Sequence, residues 1–312
     1  MPGPRQTSHE IAVAAPPAAV YGLIADVTNW PRVFPPTVHV EHVERGHTEE
    51  LIRIWATANG EVKSWTSRRT LDPAAHRVAF RQVVSQPPVA SMGGEWEVLE
   101  DGEGRSRVVL RHDFTAVGDS AENVAWIEQA IDRNSHAELD ALRRTAEQGQ
   151  GELFLEFEDI VRVLGEPKDV YDFLYQAQHW EERLPHVARV ALTEDTEGVQ
   201  TLEMDTRTKD GSLHTTKSVR VGFTGERIVY KQLKLPALLE VHNGLWTIEP
   251  TPDGVDVSSQ HTVVLKASAI PEVLGADATV EDARAFVQRA LSGNSLATLE
   301  LAKDYAEQRR PS

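Results

Sequence analysis

The sequence contains no cysteine, which excludes disulfides, thiolate metal sites and a cysteine nucleophile. Basic residues are scarce: 32 Lys and Arg stand against 48 Asp and Glu, a net charge of −16. Nucleic acid and anionic membranes carry the same sign and repel such a chain, so neither is an expected partner. No apolar run approaches the ~20 residues a membrane span needs, and the opening MPGPRQTSHE has no apolar signal core. A soluble, cytoplasmic protein is expected. There is no G-x-S-x-G elbow, no P-loop and no H-E-x-x-H, and Gly102-Glu103-Gly104 lacks the third glycine of a dinucleotide loop. His39 and His42, three apart on a strand, fall on opposite faces, and no metal site is expected there.

What is present is a repeat. The 312 residues exceed the usual domain of ~100–150 residues, and the first half lies over the second at a shift near 150. Pro17 matches Pro167, Val20-Tyr21 matches Val170-Tyr171, and Trp30 matches Trp180. Gln82, Gly94 and Trp96 meet Gln232, Gly244 and Trp246. One-residue slips pair Gly60 with Gly211, Ser67 with Ser218, Arg69 with Arg220 and His112 with His261. Asn134-Ser135 returns as Asn294-Ser295. Two copies of one fold, residues 1–150 and 151–312, are expected, divided near Gln148–Gly151.

Each copy reads as strand, short helices, six strands and a long helix. Residues 8–14 alternate and stop at Pro16-Pro17, which opens a helix. Strands follow over 38–43, 50–56, 62–71, 77–84, 93–100 and 105–114, with Asn59-Gly60 and Asp101-Gly102 as two-residue hairpin turns. Ser120 caps a helix whose Val124, Ile127 and Ile131 recur at helical spacing. The class is α+β: two tandem curved antiparallel sheets of seven strands, each wrapped on a long C-terminal helix with a cavity between.

Period-two alternation orients the polar residues. Ser67 and Arg69 share a face with Trp65 and Leu71, and His112 shares one with Val108, Leu110 and Phe114. Asn134 follows Ile127 and Ile131 on the buried helix stripe. Each has a plainer reading. A buried histidine is commonly a hydrogen-bonded core group, a strand arginine snorkels to water, and tryptophans pack. Together they describe an electropositive pocket with aromatic walls, because no acid shares the inward face of these two strands. In the second copy Arg220 falls with His214, Thr216 and Ser218 on the more polar side of its strand, and five of the seven tryptophans lie in the first half. Chemistry is therefore expected in the first pocket.

The doubled unit, with Trp30 in Asn-Trp-Pro, the run Ser64-Trp65-Thr66-Ser67-Arg68-Arg69-Thr70-Leu71, Trp96, His112-Asp113-Phe114 and Asn134-Ser135, resembles the two-domain aromatase/cyclases of bacterial type II polyketide synthases. The likeness covers essentially the whole chain. It implies a START-like helix-grip fold and action on a poly-β-keto chain delivered by an acyl carrier protein, beside a ketosynthase and a ketoreductase. The first ring would close by intramolecular aldol condensation and become aromatic by loss of water, on a chain already reduced at one ketone. Neither redox cofactor nor metal is implied. By this resemblance Arg69 matches an essential pocket arginine, and Ser67, Trp30, Trp65 and Trp96 match pocket-lining positions. His112 matches an acid/base histidine proposed for some members. Phe34, Gln82, Met92 and Asn134 complete the substrate-binding candidates. Trp180, Ser218, Arg220, Gln232, Trp246, His261 and Asn294 form the corresponding set in the second copy. One departure concerns the proton donor: Thr37 stands near where some single-domain relatives carry a catalytic tyrosine, which shifts that role to His112 or a water.

The expected roles are Arg69 beside the enolate oxygen, His112 moving protons and Ser67 orienting a ketone. Arg69→Ala is then expected to mis-cyclise without disturbing the fold. The competing reading is a non-catalytic carrier for a hydrophobic polyketide or lipid.

Overall fold

The computed structural model describes residues 3–148, 151–207 and 213–310. Its contacts divide the chain into two compact units, Met1–Gln150 and Gly151–Ser312. The segment Gln148–Gly151 includes residues outside the described set, as does Gly211, the position paired with Gly60 by sequence.

In the first unit β1 (Arg5–Val13) leads into α1 (Pro17–Ala25), a 3-10 turn and α2 (Trp30–Val33). There follow β2 (Thr37–Arg45), β3 (Glu49–Ala58), β4 (Glu61–Asp72), β5 (Arg77–Val84), β6 (Val89–Glu100), β7 (Ser106–Ala116) and α3 (Ala121–Gln148). The second unit repeats the order with β8 (Phe154–Val163), α4 (Pro167–Tyr175), α5 (Trp180–Arg183), β9 (Val187–Thr196), β10 (Val199–Arg207) and β11 (Leu213–Phe223). It continues with β12 (Arg227–Lys234), β13 (Leu239–Thr251), β14 (Gly254–Leu265), the short α6 (Ile270–Leu274) and α7 (Val280–Glu307). Each unit holds one seven-stranded sheet, in the orders β1-β7-β6-β5-β4-β3-β2 and β8-β14-β13-β12-β11-β10-β9. Every strand pairs with its neighbour in sequence except the first, which closes onto the last.

Local chemistry sets these boundaries. Pro17 occupies the first turn of α1, where its missing N–H costs nothing. The Ser120 hydroxyl accepts the Asn123 amide at 3.2 Å and starts α3, while Thr279 and Asp282 form a capping box on α7. Asn59 and Gly60 both take positive φ, 50° and 85°, as a two-residue primed turn requires. The expected turn at Asp101-Gly102 is instead longer: the Asp101 amide bonds the Arg105 carbonyl at 3.1 Å and Arg105 bonds back to Gly102 at 3.2 Å. Strand β6 also begins at Val89 rather than Gly93.

The buried stripe of α3 lies on the sheet. Ile127 and Ile131 pack with Phe114, and Leu139 and Leu142 with Val108, Leu110 and Trp96. One backbone approach recurs in both sheets. Gly94 stands between Phe80 on β5 and His112 on β7, and a Cβ there would come within 2.7 Å of Phe80 Cζ. Gly244 stands likewise between Tyr230 and His261, and a Cβ would enter the Tyr230 ring. Bare backbone lets the aromatic ring lie across the strand beside the histidine.

Candidate active site

Between α3 and the sheet of the first unit lies a cavity whose interior leaves about 140 Å³ open to the centres of water molecules, roughly ten times what one buried water requires. Trp30, Trp65 and Trp126 wall it, with Ile54, Met92, Ile127 and Ile131 between them. Its polar lining is Thr37, Lys63, Gln82, Gln86, His112, Asn134, Ser135 and Glu138. Of the sequence-derived set, Trp30, Trp65, Gln82, Met92, His112 and Asn134 therefore meet at this cavity. Asn134 donates to the Thr57 carbonyl at 3.0 Å, which fixes its amide on the wall. The Gln82 carbonyl oxygen accepts from Ser85 at 2.6 Å.

Arg69, Ser67, Phe34 and Trp96 do not line it. Arg69 is 1% exposed, and its guanidinium pairs with the buried Glu50 directly across the β3–β4 ladder. It also donates to the Ile24 and Ala25 carbonyls at 2.8 and 3.2 Å, the last carbonyls of α1. These acceptors would otherwise be orphaned at the helix end, where a cation is also favoured by the helix dipole. The Trp30 indole donates to Ile24 as well, at 3.1 Å, and the Arg69 guanidinium sits 4.9 Å from its ring centroid. Phe34 stacks on Trp96 at 5.8 Å and meets Trp30 edge-on at 5.4 Å. These four residues make the layer behind the cavity wall, with Arg69 holding Trp30 in place.

The expected electropositive pocket is corrected accordingly. The balancing acid sits on β3, a strand outside the two whose faces were compared, and it neutralises the arginine. A second acid, Glu138, lies on α3 one helical turn beyond Asn134 and lines the cavity itself. With no cation beside it among the described residues, desolvation raises its carboxyl from the usual range to about 8, so it is a neutral acid at pH 7. His112 is the opposite case: desolvation, reinforced by His9, lowers its imidazole to about 4 and leaves it a neutral base. Its Nδ1 is buried with no hydrogen-bond partner. Lys63 is held by Glu61 at 2.7 Å and lies 5.6 Å from the Trp126 ring. Glu138 lies one turn past Asn134, beyond the helical positions that the sequence reading assigns to the pocket. The signal was available, since position 138 continues the stripe of 127, 131 and 134.

The second unit arranges its equivalent residues differently. Arg220, expected on a polar face, is 2% exposed. It donates to the Leu174 and Tyr175 carbonyls at the end of α4 and to Gln200, and lies 5.0 and 5.6 Å from the Trp180 and Trp246 rings. Trp180 and Trp246 meet edge-on at 5.9 Å. Ser218 is buried and the Gln232 carbonyl oxygen is buried without a partner. His261 is engaged at both ring nitrogens, with His242 at 2.9 Å on one side and Ser295 at 2.6 Å on the other. Asn294, expected in the pocket, is exposed, and Ser295 takes the inward position. The Glu138 position, counted from the Asn-Ser pair, is Thr298, whose hydroxyl bonds its own helix at 3.0 Å.

A long helix gripped by a curved antiparallel sheet over an aromatic-walled cavity defines the helix-grip class, and this chain carries the unit twice. Residues 4–147 and 165–290 each match the family described as polyketide cyclase / dehydrase and lipid transport. The granaticin polyketide synthase bifunctional cyclase/dehydratase of Streptomyces violaceoruber is 47% identical over 98% of this chain and 96% of its own. The actinorhodin polyketide synthase bifunctional cyclase/dehydratase of Streptomyces coelicolor is also 47% identical, over 96% of each. The crystal structure of the di-domain ARO/CYC BexL, from the BE-7585A biosynthetic pathway, superposes with a TM-score of 0.88 at 56% identity, covering 98% of this chain and 100% of that one. The di-domain ARO/CYC StfQ, from the steffimycin pathway, gives 0.85 at 36% identity, covering 97% and 99%. The chain belongs to the polyketide cyclase/dehydratase family, in its two-domain form.

Proposed function

We propose that the cavity of the first unit coils a carrier-bound poly-β-ketone, reduced at one position, and closes and aromatises its first ring. The observation that carries this reading is the meeting of an unpaired neutral carboxylic acid, Glu138, and a neutral imidazole, His112, at one apolar cavity. Aldol closure removes a proton from a methylene carbon and delivers one to the ketone oxygen that becomes a hydroxyl. His112 takes the first and Glu138 gives the second. Dehydration repeats the pattern: His112 removes a carbon-bound proton while Glu138 protonates the departing hydroxyl, which leaves as water. After each step the pair is imidazolium and carboxylate. With one group lowered to about 4 and the other raised to about 8, return of the proton is strongly downhill. General acid–base help of this kind supplies ~10²–10⁴ in rate, and holding the reacting carbons together supplies ~7–11 kcal/mol more. Thr37 lines the cavity where a tyrosine donor would be sought, and Glu138 fills that role.

The proposed partners are an acyl carrier protein and the ketosynthase and ketoreductase that build its chain, in the cytoplasm. No helix among the described residues is long and apolar enough to cross a membrane. Reconstitution with a minimal polyketide synthase and ketoreductase tests the reading. A catalyst shifts the product spectrum to the aromatised ring at substoichiometric amounts. Protection only in proportion to the amount of protein would establish a carrier instead.

A further inference from the structure

Outside the cavity, three side chains of the first unit converge where the edge strand β1 meets α3. His9 points from β1 toward the helix, and Asp132 and His136 stand one turn apart on α3. The His9 Nε2 lies 3.1 Å from Asp132 Oδ1, and the His136 Nδ1 lies 3.4 Å from the same oxygen. The candidate donor atoms of all three fall within 4.8 Å of one another. We propose that His9, Asp132 and His136 form a site for a divalent transition ion of the Zn²⁺ class. Two imidazoles and one carboxylate are the donors such an ion favours. Bonds of about 2.0–2.2 Å to a tetrahedral ion place its donors about 3.3–3.6 Å apart, and the separations of 3.4 and 3.1 Å stand at and just below that edge length.

The geometry is partly preorganised. His9 is only 11% exposed at its side chain and is held by the sheet, whereas Asp132 and His136 are 67% and 65% exposed. The His136 Nδ1 also meets the Asp132 backbone carbonyl at 2.7 Å. Because that ring is exposed, it can turn to present either nitrogen, and the ion replaces this local hydrogen bond. Three protein donors leave a fourth position for water. An ion there ties β1 to the turn of α3 that also carries Asn134, Ser135 and Glu138, so it braces the helical wall of the cavity without entering it.

The test uses the full chain with Zn²⁺ alone, then with Co²⁺ as a coloured substitute. Calorimetric titration is expected to show one saturable equivalent with a rise in Tm, and Co²⁺ to give the intense visible absorption of a tetrahedral site. Asp132→Asn and His136→Gln alter exposed groups outside the catalytic cavity. Each is expected to weaken Zn²⁺ binding at least tenfold and to abolish the Co²⁺ spectrum, with the circular dichroism unchanged. His47→Gln, at an exposed residue remote in sequence, is expected to bind as the wild type does. Absence of a saturable equivalent, or equal affinity in the Asp132 and His136 variants, overturns the proposal.

Discussion

Glu138 faces the cavity with no cation against its carboxyl among the described residues, and burial makes it an acid. Its carboxyl is raised to about 8 against an ordinary 4.5, so the folded chain keeps a proton that the unfolded chain gives up above pH 4.5. The stability tied to this proton is fully present below pH 4.5 and is lost as pH rises through about 8. Glu138→Gln keeps the shape and removes the titration. The variant is expected to lose ~10²–10⁴ in product formation while its Tm gains on the wild type between pH 5 and 9, read by thermal scans across that range. For His112 the sign reverses. Its folded value of about 4 lies below the ordinary 6.5, so its contribution is present above pH 6.5 and lost as pH falls through 4. Activity is therefore expected to show an acid limb near pH 4 and an alkaline limb near pH 8. Arg69 belongs to a different class of residue. Removing one member of a buried ion pair costs ~3–5 kcal/mol, so Arg69→Ala is expected to destabilise the first unit by that order in denaturant titration. This replaces the expectation of an intact fold. Mis-cyclised products would then follow from a loosened Trp30 rather than from a missing charge at the enolate.

At the scale of elements, the glycine on β6 shows what strand patterning conveys and what it hides. Alternation placed β4 and β7 correctly and put Ser67, Arg69 and His112 on inward faces. It could not report depth: Arg69 and His112 both point inward, yet one is spent on the end of α1 and the other reaches the cavity. Nor does alternation within two strands reveal a partner on a third, which is how Glu50 escaped notice. The turn at Asp101 is longer than the two residues expected because Gly102 and Gly104 both take positive φ, spreading the reversal over more residues. The pairing of Gly94 with Gly244 was visible as a repeat before its cause was. Gly94→Ala pushes a methyl group to 2.0 Å from the Arg111 backbone carbonyl oxygen and 2.7 Å from Phe80 Cζ, and the Phe80 ring meets His112 edge-on at 5.5 Å. It is expected to lower stability by ~1–3 kcal/mol as overpacking does and to reduce activity through the displaced imidazole.

Across the whole molecule the doubling is the most legible feature, because each copy must build its own core from the same pattern of aliphatic and aromatic positions. The two copies then diverge at the groups that face inward. Where the first has Trp65 and Glu138, the second has Thr216 and Thr298. Where the first leaves an imidazole nitrogen unbonded, the second engages both nitrogens of its histidine. Shared residues thus located the architecture, and of the two groups proposed to move protons His112 recurs as His261 whereas Glu138 does not recur. The arginines on β4 and β11 illustrate this division. Arg69 and Arg220 close the ends of α1 and α4 in the same way, whatever the neighbouring hollow does. A duplicated half can therefore surrender its reactivity and still be obliged to retain that guanidinium. Among distant kin the most persistent side chain would then be a keystone of the masonry, and the working parts would be found among positions free to drift.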